Sequence, residues 1–459
     1  MKKGFPADKY KGQFLLTEEN REMPGWQVTQ SGSWKLFTSG LPVINVYTHN
    51  DAFLGWCVGY PIINEQLIDD KLVLNTSVEE FIEDFYCKTS GRWSLLLIST
   101  AASAVYIDPF GSLSVVYSTV ERTVASTPTL IGSDDEWDEE LMKQVGFPDV
   151  NTYVPFGLTF KKNVQRIVPN HYLNISDWKI RRHWPLPSTN LTIDFDTKKI
   201  CKLIAGDFKR TIKAISKVKN LELTLTAGRD SRILLACSRD VLTHCRFSTF
   251  VSDEISFEAE IASALAVKFQ LDHHLLPTIP ATPMELKDWL ELTGYSVSGA
   301  TWKIHKTIKL LDSNRVLLTG SAGEVGRSVL WKYRDKYNKK LTAEELFKRI
   351  RMVPIKRLVP EADRWLSEFS SFNVFTILDF AFIDQRLGCW GGPQAYGNTT
   401  SAFEIPPFNS RTFFQNAMRL PFAYRFQEKM TVDIVKDCWP ELLTVPINRP
   451  LGVLPASKE

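Results

Sequence analysis

Two short segments bring small residues, hydroxyls and a single carboxylate together directly after an apolar run. In the first, LELTLT (221–226) passes into Ala227-Gly228-Arg229-Asp230-Ser231, and a helix is expected to begin there. Small residues after a strand let backbone N–H groups close on an anion, and a helix N-terminus adds about half a unit of positive charge. Thr226 and Ser231 can donate hydroxyl hydrogen bonds to phosphate oxygens, and Asp230 is a hard oxygen ligand suited to Mg²⁺. Neither G-x-G-x-x-G nor G-x-x-x-x-G-K-[ST] occurs, so pyrophosphate suits this loop better than a dinucleotide; a plain strand–turn–helix junction would use the same residues. In the second segment, RVLLTG (315–320) runs into Ser321-Ala322-Gly323-Glu324-Val325-Gly326-Arg327. Two parallel strands that each deliver a glycine-rich turn and an acid could clamp Mg²⁺ and stabilise a leaving pyrophosphate. Taken alone, this second loop also reads as an ordinary turn of a long α/β domain.

Such loops need a sheet to hold them side by side. From about residue 195 the pattern alternates: helix (DTKKICKLIAGDFKRTIKAISKV), strand (221–226), helix from about Ser231, strand (CRFSTFV), helix (SFEAEIASALAVKF), strand (HHLLP), and later RVLLTG. This alternation predicts a parallel, doubly wound sheet covered on both faces, with ligands at the carboxyl ends of its strands. The first 190 residues differ. β-Branched and aromatic runs (SGSWKLFTS, LPVINVYTH, WSLLLIST, AVYIDPF, LSVVYST) are broken by turn signals, predicting a mainly antiparallel sheet domain. Helical periods there are few, at 77–88 with Thr76 or Ser77 as cap and at 137–147. Pro185, Pro187 and Ser188 mark a linker near 185–194, and residues 335–459 read mostly as helix. Within these, DKYNKKLTAEELFKRIRM reads as a solvated helix face.

Composition narrows the function classes. The 459 residues carry a formal charge of +3, too balanced to argue for nucleic acid or a membrane surface, and 13 Trp, 13 Tyr and 28 Phe exclude disorder over most of the length. No run of 18 apolar residues occurs, and the start, MKKGFPADKYKGQF, lacks the apolar stretch of a signal peptide. Seven scattered cysteines without a C-x-x-C pair read as reduced thiols, so a cytoplasmic location is expected. Cys237 and Cys245 read as small buried hydrophobes, and His273-His274 as the end of a core strand rather than as metal ligands. The segment Arg386–Gly392 either lines an acceptor pocket or is a helix end packed by Trp390.

Four motifs in order carry a resemblance. T-A-G-R-D-S (226–231) stands where one family has S-G-G-x-D-S, and FSTFVSDEISFEAEIASALA (247–266) where it has an F-S strand and a helix with an acid. L-T-G-S-A-G-E (318–324) stands for L-[ST]-G-x-G-S-D, and F-E-I-P-P-F-N (403–409), then AMRLP, for V-E-x-R-x-P-F-x-D and A-x-x-x-P. GRWSLLLIST…VYIDPFGSLSVVYS and VPFGLTFKKNVQRIVPNHYLNI extend the match to the N-terminal half. The chain thus resembles the asparagine synthetase and β-lactam synthetase family. The resemblance implies an α/β chain in which residues 1–190 form a degenerate glutamine amidotransferase-like domain (an N-terminal-nucleophile-hydrolase-like sandwich), and 195–459 an ATP pyrophosphatase-like synthetase domain. It further implies ATP and Mg²⁺ as cofactors. Asp230 and Glu324 would hold the metal; Thr226, Ala227, Gly228, Arg229, Asp230, Ser231 and Gly320 would surround the phosphates; Phe247, Ser248 and Thr249 would line the adenine pocket.

Three departures qualify what the resemblance implies. Glutamine-using members carry Cys directly after the initiator Met, where this chain has Lys, so glutaminase activity is not expected. Ser321 stands where asparagine synthetases have Glu and β-lactam synthetases Tyr, and serine is a weak base without a partner. The family's late lysine is replaced in PELLTVPINRPLG by Asn448 and Arg449, and Arg449 can supply charge but cannot act as a base. Glu404, at the family's glutamate, either assists proton removal or forms a structural salt bridge. The expected function is an ATP- and Mg²⁺-dependent ligase that activates a small-molecule or peptide carboxylate as an acyl-adenylate and forms an amide with ammonia or an amine, with Ser321, Glu404 and Arg449 serving the second step. The alternative is a nucleotide-binding scaffold that has lost amidation and acts through a partner protein.

Overall fold

The run Thr89–Ser99 (TSGRWSLLLIS) shows how the N-terminal half is built. Alternate residues of a strand face opposite sides. Leu96 therefore joins Trp56, Val58 and Val105 in one core, while Trp93, Leu95 and Leu97 join Ile82, Phe85 and Tyr86 in another. A strand buried on both faces reads as one continuous apolar run. The computed structural model describes residues 5–132, 136–252, 256–299, 305–399 and 402–448. In it, Thr89–Ser99 is central to an eight-stranded sheet ordered Lys179–Arg182, His171–Asn174, Ala102–Ile107, Thr89–Ser99, Phe53–Ile63, Val43–Thr48, Lys71–Leu74, with Gln66–Leu67 paired to Phe53–Ile63. All these pairs are antiparallel except Val43–Thr48 with Lys71–Leu74. A six-stranded antiparallel sheet, running from Gln165–Arg166 to Gln27–Ser31, contributes Phe14, Leu16, Leu36 and Val124 to the core between the two sheets. The helix Val78–Lys88, capped by Ser77, covers the other face of the larger sheet.

The second half is built on five strands, all parallel, in the order His273–Pro277, Cys245–Val251, Leu221–Thr224, Val316–Leu318, Phe403–Ile405. The chain winds outward in one direction from Leu221–Thr224 and then restarts on its other side with Val316–Leu318. The switch point therefore lies between these two strands, where an open α/β sheet forms its ligand crevice at the carboxyl ends. Helices Thr197–Ser216, Arg229–Cys237 and Lys429–Cys438 pack together beside the sheet, joined by Phe208, Leu234 and Ile434 in one extended core. The mixed α/β character expected from the sequence is present.

Two expectations are corrected. His273–Pro277 is an edge strand with half-exposed or exposed side chains, not a core strand. The segment 335–352 is a shorter helix than expected, Ala343–Arg349; its Glu344 and Lys348 face solvent as expected, but the side chains of Arg349 and Asp335 form a buried pair, with Nη1–Oδ2 at 2.7 Å. An aligned pair of this kind is what allows two charges to leave water. Among the described residues no helix is long and apolar enough to cross a membrane, and all seven cysteines are free.

The halves are joined by specific side chains. Asn409, fully buried, donates to the Gly91 carbonyl (2.7 Å) and to Asp108 (2.8 Å), and accepts from the Phe110 N–H (3.1 Å). The stretch Ala381–Gly391 is a π-helix pressed against the N-terminal half through glycines. A Cβ on Gly388 would lie 2.1 Å from Pro169 Cδ, and one on Gly392 would lie 2.0 Å from the Gly111 carbonyl oxygen. Only residues without side chains permit that approach, and π-helical turns recur at functional sites.

Candidate active site

The two loops singled out in the sequence meet at the switch point, because their strands are hydrogen-bonded neighbours in register Leu221↔Val316. The first closes on itself. Thr226 Oγ1 accepts from the Gly228 N–H (3.0 Å) and lies 2.9 Å from Ser231 Oγ. Helix Arg229–Cys237 starts at Gly228 with no side-chain cap, leaving its first N–H groups to a ligand or solvent. A Cβ on Gly228 would sit 3.0 Å from Thr226 Oγ1, so the residue keeps the loop this tight.

The second loop packs onto Asp230. A Cβ on Gly320 would lie 2.7 Å from Asp230 Cβ, and one on Gly323 would lie 2.5 Å from its Oδ1. Ala322 holds the turn at φ +76°, and Gly323–Arg327 forms one 3₁₀ turn. That turn is pinned from below: Arg425 donates to the Val325 carbonyl (2.5 Å) and makes a buried two-bond pair with Asp379 (2.7 and 2.9 Å).

Asp230 and Glu324 therefore face one crevice. Asp230 Oδ2 is paired with Arg327, while Asp230 Oδ1 and Glu324 Oε2 are buried without hydrogen-bond partners among the described residues. Burial pushes the Asp230 carboxyl well above the ordinary carboxylate range, against the pull of Arg327 and with a further push from Glu324. Unsatisfied buried carboxylate oxygens are costly, and a cation is the direct way to satisfy them. Among the described residues no group of three or more His, Cys, Asp or Glu side chains clusters to hold a metal, so a cation here would take its remaining ligands from substrate or water.

Glu404 enters from the next strand. Its Oε1 accepts from Thr319 (2.5 Å) and lies 3.4 Å from Ser321 Oγ, with Thr319 and Ser321 3.1 Å apart. Ser321, Glu324 and Glu404 border a cavity of about 360 Å³ whose other walls include Phe110, Phe382, Arg386 and Trp390. The Arg386–Gly392 stretch thus lines a pocket as part of the π-helix.

The remaining sequence candidates separate. Ala227 is buried, and its carbonyl accepts from the Asn448 N–H at 2.8 Å. Arg229 pairs with Glu428, and its charge also acts on Asp230, its neighbour in the chain. Phe247, Ser248 and Thr249 are buried: Ser248 is hydrogen-bonded to Glu222, and Thr249 donates to the Leu225 carbonyl (2.6 Å) while lying 2.8 Å from His273 Nε2. Those side chains hold the strand together, and its backbone pairs with strands on both sides. Arg449 lies outside the described residues. Its neighbour Asn448 is nonetheless held at the first loop, because buried Arg232 donates to the carbonyls of Leu442, Val445 and Pro446 at 2.8–2.9 Å.

Arg327, Arg232, Arg425 and Thr319 carry much of this geometry and were not singled out in the sequence. Arg327 and Thr319 flank the second loop and were within reach; Arg232 and Arg425 act on partners 210 and 46 or more residues away. No protein-family model matches this chain, and no curated protein matches it significantly.

Proposed function

We propose that the chain is an ATP- and Mg²⁺-dependent ligase that activates a carboxylate as an acyl-adenylate and forms an amide, related to the asparagine synthetase and β-lactam synthetase family. The finer fold reading goes with it: an N-terminal-nucleophile-hydrolase-like sandwich and a pyrophosphatase-like synthetase half. The observation that carries the proposal is the pairing at the switch point. Two neighbouring parallel strands end in glycine-rich turns, and each places a carboxylate with an unpartnered oxygen in the same crevice. Asp230 and Glu324 would hold Mg²⁺, and Thr226, Gly228, Ser231 and Gly320 would cradle phosphate. With ATP bound, the metal would neutralise charge building on the pyrophosphate as it leaves.

The residues then divide the work. The substrate carboxylate, held in the cavity beside Glu404, displaces pyrophosphate from the α-phosphorus. The amine attacks the activated acyl carbon, AMP leaves, and the amine's proton goes to Glu404 directly or through Ser321. Serine's weakness as a base is thereby answered by its neighbour, 3.4 Å away. Glutamine is not the nitrogen source in this reading: in the N-terminal half, burial pushes up the thiol of Cys57, and partial burial together with the adjacent Glu83 carboxylate pushes up that of exposed Cys87.

One observation favours the scaffold reading: Arg327 already occupies Asp230 Oδ2. Substrate-dependent pyrophosphate release from ATP and Mg²⁺, screened over a carboxylate panel with Asp230→Asn and Glu324→Gln alongside, separates the two. The ligase reading expects turnover that needs both acids. Nucleotide binding without pyrophosphate release under any acceptor would leave the scaffold.

A further inference from the structure

Arg92 occupies a core position. On strand Thr89–Ser99 it shares a face with Ser94 and Leu96, and its relative exposure is 0%. Its Nε donates to the Ser112 carbonyl (3.1 Å), and its guanidinium lies 5.4 Å from the Tyr396 ring centre and 5.1 Å from that of Phe403. Nη1 and Nη2 have no hydrogen-bond partner among the described residues. Of the five N–H donors of an arginine, four are therefore unmet by the described protein groups. Ring faces offset part of that deficit, but they satisfy none of it with an oxygen.

Arg92 borders the same cavity of about 360 Å³ that Glu324, Ser321 and Glu404 border from the opposite half of the chain. Two more guanidiniums line it. Arg386 lies 3.9 Å above the Trp390 ring, with the Tyr153 hydroxyl and Glu324 near enough to favour its charge, and neither it nor the exposed Arg351 forms an ion pair among the described residues. Arg349, the fourth, is already committed to Asp335. Phe110, Phe382 and Leu387 supply apolar wall. Thus one part of the cavity carries acids and hydroxyls suited to acyl chemistry, while the rest combines guanidiniums, of which Arg92 alone is fully buried with both Nη atoms unmet, with aromatic surface.

We propose that this cavity contains a subsite for a small oxyanion, carboxylate or phosphate, carried on an aromatic or apolar body, with Arg92 as its buried counter-charge and Arg386 as its second contact. A planar guanidinium with two free edges matches a two-oxygen anion better than any neutral group does. The inference deepens the ligase reading, since it makes the acyl substrate a molecule with a second anionic group besides the carboxylate to be activated. Binding at the subsite does not depend on adenylation.

The test uses the full chain without nucleotide. Binding of benzoate, phenyl phosphate and neutral benzamide is followed by calorimetry, with thermal shift in parallel. The subsite predicts that at least one anion binds about tenfold or more tightly than benzamide. Whichever of the two anions binds better names the oxyanion. Arg92→Met should abolish the preference and raise the Tm of the ligand-free protein, because it removes a buried charge that has no partner. Should Arg92→Met fail to fold, Arg386→Met serves as the second variant and should weaken anion binding while leaving benzamide unchanged. Equal binding of all three probes, no binding of either anion, or an anion preference that survives both substitutions overturns the proposal. Asp230→Asn should keep the anion preference while losing pyrophosphate release. A protein that prefers the anion but never releases pyrophosphate sinks the ligase reading alone; one that turns over without an anion preference sinks the subsite alone.

Discussion

Asp108 and Asp230 are both acids removed from water, and they are treated in opposite ways. Asp108, in the loop after strand Ala102–Ile107, accepts from the N–H groups of Ser112 (2.8 Å) and Leu113 (2.9 Å), the Ser112 hydroxyl (2.7 Å) and Asn409 (2.8 Å). Burial pushes its carboxyl up, and those bonds pull part of the way back. Asp230 has one arginine on one oxygen and nothing on the other. A fully satisfied buried acid fixes structure, here the seam between the two halves. A half-satisfied one keeps capacity for something that arrives later. Arg411 and Arg92 make the same contrast among cations: Arg411 meets Glu83 (2.8 Å) and His183 (2.7 Å), whereas both Nη atoms of Arg92 are bare.

The widest separation should come from one substitution made at both acids. Asp230→Asn should lower pyrophosphate release by about 10³-fold or more, as losing a groundwork electrostatic contact to the transition state does, while leaving Tm unchanged or higher. Asp108→Asn should do the reverse. Its new N–H₂ would confront N–H donors, costing on the order of 2–4 kcal/mol of folding stability, and nucleotide binding should survive in whatever fraction is folded. Denaturant titration and the pyrophosphate assay run on both variants check the pair. If both lose stability and neither loses a specific function, the contrast fails.

Asn409→Asp sharpens the structural side. It would set a second carboxylate against Asp108 where an amide now donates at 2.8 Å. Two adjacent acids cannot both ionise cheaply, so a loss of about 3 kcal/mol is expected at neutral pH. The sign with pH follows. The pair's folded pKa would be raised above the unfolded value, so the penalty is full at neutral pH and shrinks as acid supplies the shared proton. Urea midpoints at pH 7 and pH 5 measure it, and a deficit that grows on acidification contradicts the argument.

Gly388→Ala tests whether the seam also shapes the cavity. The added methyl would fall 2.1 Å from Pro169 Cδ, a contact that must push the π-helix away. Overpacking of this kind costs about 1–3 kcal/mol. Because Arg386, Leu387 and Trp390 belong to the same π-helix, anion binding in the cavity should weaken with it, whereas Gly32→Ala, at an exposed site with open space around the Cβ but a φ of +58°, should cost stability through its backbone alone and leave anion binding unchanged.

How far the sequence reveals this contrast depends on range. The alternation from residue 195 marked four of the five parallel strands and both loops, because each is a local pattern with its own period and turn chemistry. The fifth strand, Phe403–Ile405, is three residues long, too short for any period, and becomes a strand only by pairing with Val316–Leu318. Ser321 was a puzzle in one dimension because its hydrogen-bond partner, Glu404, is 83 residues on. Arg92 gave no signal within GRWSLLLIST, where a single cation in an apolar run reads as one solvated side chain. Its burial depends on Tyr396 and Phe403 arriving from the other half of the chain. In the 335–352 segment the charges point to solvent correctly for Lys336, Lys340, Glu344 and Lys348, and only the tertiary pairing of Asp335 with Arg349, which takes two side chains inside, has no local signal.

The smallest effect concerns a satisfied acid at the rim of the seam. Glu368 Oε2 accepts from Arg182 Nε (2.8 Å) and lies 3.2 Å from His171 Nε2, tying the helical half to strands Lys179–Arg182 and His171–Asn174. Burial pushes this carboxyl up, but the His171 hydrogen bond and the Arg182 charge outweigh it and bring it down to about 2. A depressed folded pKa means the stabilisation is present above the unfolded value of 4.5 and is lost as pH falls from there through about 2. The side chain is 37% exposed, so solvent screening holds the contribution to within about 1 kcal/mol. Glu368→Gln should therefore cost little at pH 7, and wild type and variant should converge in stability as pH drops from 4.5 toward 2. Asp230→Asn should show no such convergence, because the native Asp230 carboxyl is displaced in the opposite direction. Parallel pH profiles for the two substitutions would mean that satisfied and unsatisfied acids in this chain differ less than their hydrogen bonds imply.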